Sequence, residues 1–216
     1  GGVWWWGGGV RGGATRAPYI WVWGGVVRAT RAGRPALLLA AGARGAAAEL
    51  AAITSASVAV ATLAFAAQDL PDVLFDRSGF LVPPVEGRTI KASTFSFAKW
   101  GWVRDLDPDV VVLRTSLGRH GEEVTLQSTD EGLVRVSLAD LHAMAGISAV
   151  PVDSHVQRWG GGLPQYAVGH VARVARIRAA TDLPGLAVCG AAYDGVGIPA
   201  VISSAHRAVA WVTRAE

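Results

Sequence analysis

Residues 184–202 read PGLAVCGAAYDGVGIPAVI, and this stretch carries the strongest fold signal in the 216-residue chain. An apolar run at residues 186–189 predicts a buried strand, a glycine-punctuated loop follows, and Pro199 opens a predicted helix reaching about Arg214. Glycine lets a ligand approach the backbone closely, and the first N–H groups and the dipole of a helix favour negative charge. The stretch therefore predicts a site for a phosphate or for the polar edge of a nucleotide cofactor.

The rest of the pattern is mostly strands with short helices. Predicted strands cover residues 58–65, 80–83, 89–97, 110–117 and 152–158, with the second and third paired and the fourth central. A helix ends near residue 53, a capping box at Ser137 and Asp140 starts a short helix, and Val171, Val174 and Ile177 mark another. The predicted buried stripe of the last helix is Val201, Ile202, Ala205, Val209 and Val212. The fold class is α+β or α/β, an antiparallel-sheet domain leading into the strand, loop and helix that close a Rossmann-like domain.

Composition excludes several classes of protein. A hydrophobic fraction of 51% with 17% charged residues excludes a disordered tail. The basic residues are scattered rather than striped along one face, so no nucleic-acid partner is predicted. The single Cys189 is interpreted as a small core residue, which fits a cytoplasmic protein. Residues 50–67 are uncharged, but their Ala, Ser, Thr and Val favour a helix end and a strand over a membrane span. The five histidines show no metal-ligand spacing, so no metal is predicted.

The first 35 residues are atypical. They contain five of the nine tryptophans, many glycines and no acidic residue, the first acid being Glu49. Residues 7–12 match G-x-G-x-x-G, but Pro18 interrupts the helix that should follow, and no acid stands about twenty residues on. We interpret residues 1–35 as a Gly/Trp-rich segment or a damaged dinucleotide-binding start.

Three segments carry a resemblance to a known family: SGFLVP at residues 78–83, Arg158-Trp159 with LPQYAVGH at 163–170, and GAAYDGVGIP at 190–199. In order and wording they resemble the C-terminal part of the porphyrinogen oxidases, protoporphyrinogen oxidase and coproporphyrinogen III oxidase, over roughly residues 46–214. The resemblance implies FAD as cofactor and the oxidation of a porphyrinogen, coproporphyrinogen III or protoporphyrinogen IX, to the porphyrin of haem biosynthesis, with oxygen as acceptor. The tetrapyrrole would dock on the antiparallel sheet.

The resemblance also implies the residues that bind the cofactor. Val196, Gly197 and Ile198 would bring backbone groups to the flavin, and Gly190 and Ala191 would lie near the pyrophosphate and ribityl chain. The indole of Trp159 would pack close to the cofactor. No side chain stands out as a catalytic acid or base, and a structural and a functional role both stay open for Gln165, Tyr166 and His170.

On this basis residues 36–158 are expected to be a substrate-domain portion and residues 159–216 a C-terminal FAD-binding portion. Without an intact dinucleotide unit the chain is expected to be an incomplete oxidase that does not turn over substrate alone. A non-catalytic fragment or binding module and a related flavin amine oxidase are the alternatives. The expected localisation is cytoplasmic, and peripheral membrane contact stays open.

Overall fold

The computed structural model describes residues 34–213, which form two compact units. The sheet unit comprises residues 56–162, and the helical unit comprises residues 34–55 and 163–213. The strands are β1 (Ser55–Ala66), β2 (Gly79–Leu81), β3 (Ile90–Phe95), β4 (Val110–Leu117) and β5 (Asp153–Pro164). The helices are α1 (Arg34–Ala40), α2 (Arg44–Ala51), α3 (Ser96–Lys99), α4 (Gly101–Arg104), α5 (Asp130–Ala145), α6 (His170–Ala180), α7 (Ala191–Asp194) and α8 (Ile198–Val212). Of the Gly/Trp-rich segment, residues 1–33 lie outside the described residues.

The five strands form one sheet in the order β2-β3-β4-β1-β5. Strands β2 and β3, β3 and β4, and β4 and β1 pair antiparallel, with Leu63 opposite Leu113 at the centre. The N–H of Val152 donates to the carbonyl of Ala64 (2.8 Å) and that of Gly161 to Ser57 Oγ (2.9 Å), so β5 runs against β1. The predicted antiparallel sheet, the pairing of its second and third strands and the central position of residues 110–117 are confirmed.

The core of the sheet unit lies between the sheet and helix α5. Buried residues alternate along β1 and β4, as expected for a sheet with one face covered. The first core cluster consists of Leu63, Phe65, Leu70, Leu74, Phe95, Phe97, Val111, Leu113, Leu141 and Ile147. The third predicted strand is too long at its end, because the chain turns into helix α3 after Phe95 and the N–H of Trp100 bonds the Ser96 carbonyl at 3.1 Å.

The predicted start of helix α5 at Ser137 is wrong. The N-cap is Thr129, whose hydroxyl accepts the N–H of Gly132, so Ser137 lies in the middle of the helix. There the buried Ser137 hydroxyl bonds Thr115 Oγ1 at 2.8 Å, and Asp140 accepts the N–H groups of Thr89 and Ile90. The capping-box spacing thus reflects two long-range hydrogen-bonding residues rather than a helix end.

The helical unit has its own apolar core. Helices α2 and α6 contribute most of it, around Leu38, Ala46, Leu50, Ile177 and Leu186. Val174 and Ile177 are buried as predicted, but Val171 is 84% exposed because it lies in the first turn of α6, beyond this core.

Two predictions near the C-terminus are wrong. Residues 186–189 are not assigned to a strand, because no described residue pairs with them. Helix α8 forms where it was predicted, but its apolar stripe is not buried: Ile202 and Val209 are exposed, and only Ser204 is buried. The two differences have different causes: Leu186 is buried in the helical core but its segment has no partner strand among the described residues, whereas no described element covers the apolar face of α8. Within residues 34–213 no helix has the length and hydropathy needed to cross a membrane.

Candidate functional site

The candidate site is the loop of residues 190–197, between the apolar segment 186–189 and helix α8. Gly190 (φ 115°) and Gly195 (φ 121°) flank the single turn of α7 in a backbone region that side chains rarely adopt. A Cβ at Gly195 would also lie 3.1 Å from the Cβ of Ala200. The positive φ angles at Gly190 and Gly195 therefore explain why both positions are glycine.

Gly197 differs from those two glycines. Its φ of −72° suits any residue, and the one atom near an added Cβ would be Pro199 Cδ at 3.9 Å. No contact among the described residues thus requires glycine here. As the N-cap of α8, Gly197 leaves the helix N-terminus without a side chain at this position.

The N-terminus of α8 is open to a ligand. Its N-cap is Gly197, so within residues 34–213 no side chain caps the first N–H groups, and Pro199 in the first turn has no N–H. The flanking side chains of Val196 and Ile198 are 52% and 77% exposed. Backbone donors beside exposed apolar side chains suit a molecule with a polar edge and an apolar surface.

Asp194, the last residue of α7, is the electrostatic centre of the loop. Arg178 of α6 donates to both carboxylate oxygens at 2.7 Å, and Arg207 of α8 pairs with Oδ1 at 2.7 Å. Ser204 of α8 donates to Oδ2 and accepts the N–H of Gly190 at 2.9 Å. Burial raises the pKa of Asp194, but the hydrogen bonds from Arg178 and Ser204 and the two guanidinium charges outweigh it, so the pKa lies below its usual value.

Tyr166 and His170 support the same loop from the N-terminal end of α6. Their rings stack with centroids 4.1 Å apart, and the Tyr166 hydroxyl donates to the carbonyl of Ala191. Burial is the main cause that raises the pKa of Tyr166. His170 is buried, and neither ring nitrogen has a hydrogen-bond partner within the described part of the chain. The side-chain amide of Gln165 donates to the carbonyl of Leu163, which is not one of the predicted site residues.

Four of the six predicted cofactor-binding residues lie in this loop, namely Gly190, Ala191, Val196 and Gly197, and a fifth, Ile198, is the first residue of α8. Trp159 lies in β5 of the sheet unit, with its indole 52% exposed and Gly160–Gly162 following it. The binding roles of all six stay predictions.

Sequence reasoning missed the cluster around Asp194. Arg178, Ser204 and Arg207 are 16, 10 and 13 residues away in the chain, and no local spacing rule pairs them. Cys189 is half-buried, and burial, followed by the charge of Asp194, raises the pKa of its thiol. Among residues 34–213 no group of three His, Cys, Asp or Glu side chains is placed to hold a metal ion.

The sheet unit has two concave regions apart from this loop. One, of about 280 Å³, lies beside Arg88 and Arg119, and the other, of about 420 Å³, lies between helix α5 and strand β5. Arg119 is already occupied, because its guanidinium donates to the carbonyls of Val82, Arg88 and Ile90. Trp159 lines neither region.

Sequence comparison finds curated relatives but no matching protein-family model. Over 158 residues the chain is 40% identical to the coproporphyrinogen III oxidase of Mycobacterium leprae, which covers 73% of this chain and 33% of that protein. It is 31% identical over 134 residues to the coproporphyrinogen III oxidase of Bacillus subtilis, covering 61% of this chain and 28% of that protein. The chain thus spans about a third of the length of these relatives.

Structural comparison gives a concordant result. A protein from Exiguobacterium sp. 255-15, described as a protoporphyrinogen oxidase, matches with a TM-score of 0.68 and 32% identity, over 78% of this chain and 37% of that one. A reduced UDP-galactopyranose mutase matches with a TM-score of 0.50 and 12% identity, over 62% of this chain and 27% of that one. The second likeness concerns the fold alone.

Proposed function

Because this chain belongs to the porphyrinogen oxidase family, we propose that it supplies the flavin-contacting loop and part of the substrate-binding sheet of a coproporphyrinogen III oxidase. The observation that carries the proposal is the 40% identity to the Mycobacterium leprae protein over 158 residues, which includes most of the described chain. Because the chain spans a third of that protein, the activity of the whole enzyme, its FAD, its oxygen and its tetrapyrrole are parts of the proposal.

The loop fits a flat cofactor with a polar edge. The open N-terminus of α8 offers backbone donors and the positive end of a 15-residue helix dipole. Gly197 leaves the approach to these donors clear, and the exposed side chains of Val196 and Ile198 provide apolar surface beside it. Gly190 and Ala191 lie at the N-terminal end of α7, where they would meet the ribityl and pyrophosphate part. The residues present therefore fit FAD.

The chain's own residues orient the cofactor rather than carry the redox chemistry. Bound FAD would accept two electrons in each of three steps from the porphyrinogen to the porphyrin, with oxygen taking them on to give hydrogen peroxide. The α8 N–H groups would hold the polar edge of the flavin, and the helix dipole would stabilise negative charge that develops there. That the indole of Trp159 packs close to the cofactor stays a prediction from the family resemblance; its side chain is 52% exposed.

The first experiment is FAD binding by the full 216-residue chain, measured by quenching of flavin fluorescence. Gly197→Ala should weaken binding on the order of tenfold, because the added methyl group would stand at the helix N-terminus that is proposed to hold the cofactor. Gly101→Ala is the matched control: Gly101 also has a single neighbouring atom at 3.9 Å, Arg104 Nη2, but it lies in the sheet unit. It should bind FAD like the unaltered chain.

Two other outcomes discriminate between the candidate functions. A folded chain that binds no flavin would overturn the proposed FAD-binding role of this chain and would favour a non-catalytic module. Where FAD binds, oxidation of coproporphyrinogen III is compared with that of protoporphyrinogen IX and of a set of primary amines. Turnover of amines alone would replace the proposal with a flavin amine oxidase.

The expected cytoplasmic localisation and the open question of membrane contact are tested by cell fractionation.

A further inference from the structure

Helix α8 is held by polar contacts at one point. Ser204 is 2% exposed and is the only residue of α8 that the described chain buries. Its hydroxyl accepts the Gly190 N–H at the start of the loop and donates to Asp194 at the end of α7. One hydroxyl thus fixes both ends of the α7 turn against α8.

Asp194 joins this hydroxyl to a third helix. Arg178 of α6 and Arg207 of α8 bind the same carboxylate, each at 2.7 Å. Helix α6 is itself anchored, because Ile177 and Val174 are buried and Arg173 and Arg176 pair with Glu49 of α2. The carboxylate therefore connects a packed helix to an otherwise exposed one.

The charges of Arg178 and Arg207 favour an arrangement in which the Asp194 carboxylate lies between them. Two guanidinium groups close to each other without an anion would repel, and the carboxylate replaces that repulsion with a charge-assisted hydrogen-bonded pair to Arg178 and an ion pair to Arg207. A buried or half-buried carboxylate with three donors is also far more directional than an apolar contact. Removing it leaves Arg178 and Arg207 as like charges beside the loop.

From these contacts we propose that Asp194 is the positioning residue of the loop: it sets the distance and angle between Gly190 and the N-terminus of α8, and so the geometry in which the cofactor is held. The inference rests on the proposed function for its consequence, since the cofactor is FAD only if that proposal holds. The positioning itself is a property of the polypeptide and is measurable without any ligand.

The test compares Asp194→Asn, Ser204→Ala and the unaltered 216-residue chain by amide hydrogen exchange. Asn keeps the size and one acceptor but loses the charge, and Ser204→Ala keeps the charge but loses the bridge to Gly190. In both variants exchange at Gly190 and in the first turns of α8 should quicken on the order of tenfold or more. Exchange in α2 and in the sheet unit should stay unchanged.

Asp182→Asn is the matched control, because Asp182 is an exposed aspartate in the same unit that forms no ion pair with Arg178 or Arg207. It should leave exchange at Gly190 unchanged. Asp194→Glu, which restores the charge, should recover part of the protection. A uniform rise in exchange over the whole helical unit, or no rise at Gly190, would overturn the inference.

FAD affinity provides the second readout. Asp194→Asn should weaken FAD binding on the order of tenfold while circular dichroism stays unchanged. If the unaltered chain binds no FAD, the proposed function fails, and the exchange experiment still decides the role of Asp194. If FAD binds equally well to the variant in spite of faster exchange, Asp194 orders the loop without positioning the cofactor, and the inference is wrong.

Discussion

Helices α5 and α8 differ in length by one residue, yet opposite kinds of contact hold them. Helix α5 has a threonine N-cap and packs Leu133 and Leu141 into the sheet core. Helix α8 has a glycine N-cap, and the described residues bury only Ser204, through hydrogen bonds. Apolar burial contributes to the stability of a whole unit, whereas a few polar contacts fix one segment. We therefore expect mutations in α5 to affect folding and mutations around α8 to affect the site.

The largest expected effect tests that comparison directly. Leu141→Ala removes a fully buried side chain of α5 and should lower the free energy of unfolding by about 2–5 kcal/mol. Ile202→Ala on α8, where the side chain is 44% exposed, should cost less than about 1 kcal/mol. Urea unfolding followed by circular dichroism measures both. Equal losses would mean that α8 is packed as tightly as α5 and would remove the contrast between them.

Amide exchange measured over a series of pH values tests how far the charge of Asp194 holds the loop. The folded-state pKa of Asp194 lies below its usual value of about 3.9, so its stabilising contribution is complete above that value and is lost as pH falls through the lower folded pKa. Protection of the Gly190 amide, corrected for intrinsic exchange, should therefore stay constant from pH 7 to 5 and fall only below about pH 4.

The groups around Asp194 allow a clean control. Burial raises the pKa of the nearby Cys189 and Tyr166, so both stay neutral over this range. His206→Gln removes the one imidazole of α8 from the experiment. Loss of protection between pH 7 and 5 in that variant would show that another group controls the loop.

The sheet could be predicted from the sequence because its signal is local. Residues 110–117 alternate and are rich in valine, and the structure makes them the central strand β4. The start of α5 could not be predicted, because Ser137 and Asp140 have the spacing of a capping box but bind Thr115 and the strand at Thr89 and Ile90. Only the tertiary fold brings those partners together.

In the candidate site, too, the features with a local sequence signal could be predicted and those that depend on the tertiary fold could not. The glycine pattern of the loop was sufficient to place Gly190, Gly197 and the start of α8, because positive φ and helix initiation are local properties. The Asp194 cluster was missed because its donors come from two helices. Periodicity also failed for the buried face of α8, since it shows where apolar residues point and not whether anything covers them.

The smallest expected effect comes from changing the N-cap residues of α8 and α5, Gly197 and Thr129. Gly197→Ser should stabilise α8 by a few tenths of a kcal/mol, because the backbone at 197 (φ −72°, ψ 148°) already suits a capping serine. The added hydroxyl would accept an N–H that the ligand needs, so FAD affinity should fall even though stability rises. Thr129→Gly in α5 should cost a few tenths of a kcal/mol and leave FAD affinity unchanged.

Thermal unfolding and FAD titration of both variants measure the two quantities separately. If the N-terminus of α8 has no ligand, a better cap stabilises the helix and has no other consequence, so stability and affinity would not move in opposite directions. Opposite movement at Gly197, together with a change in stability alone at Thr129, would mean that the missing cap of α8 is a functional feature. The cap of α5 contributes only to folding because its N-terminus already has an internal acceptor, the Thr129 hydroxyl.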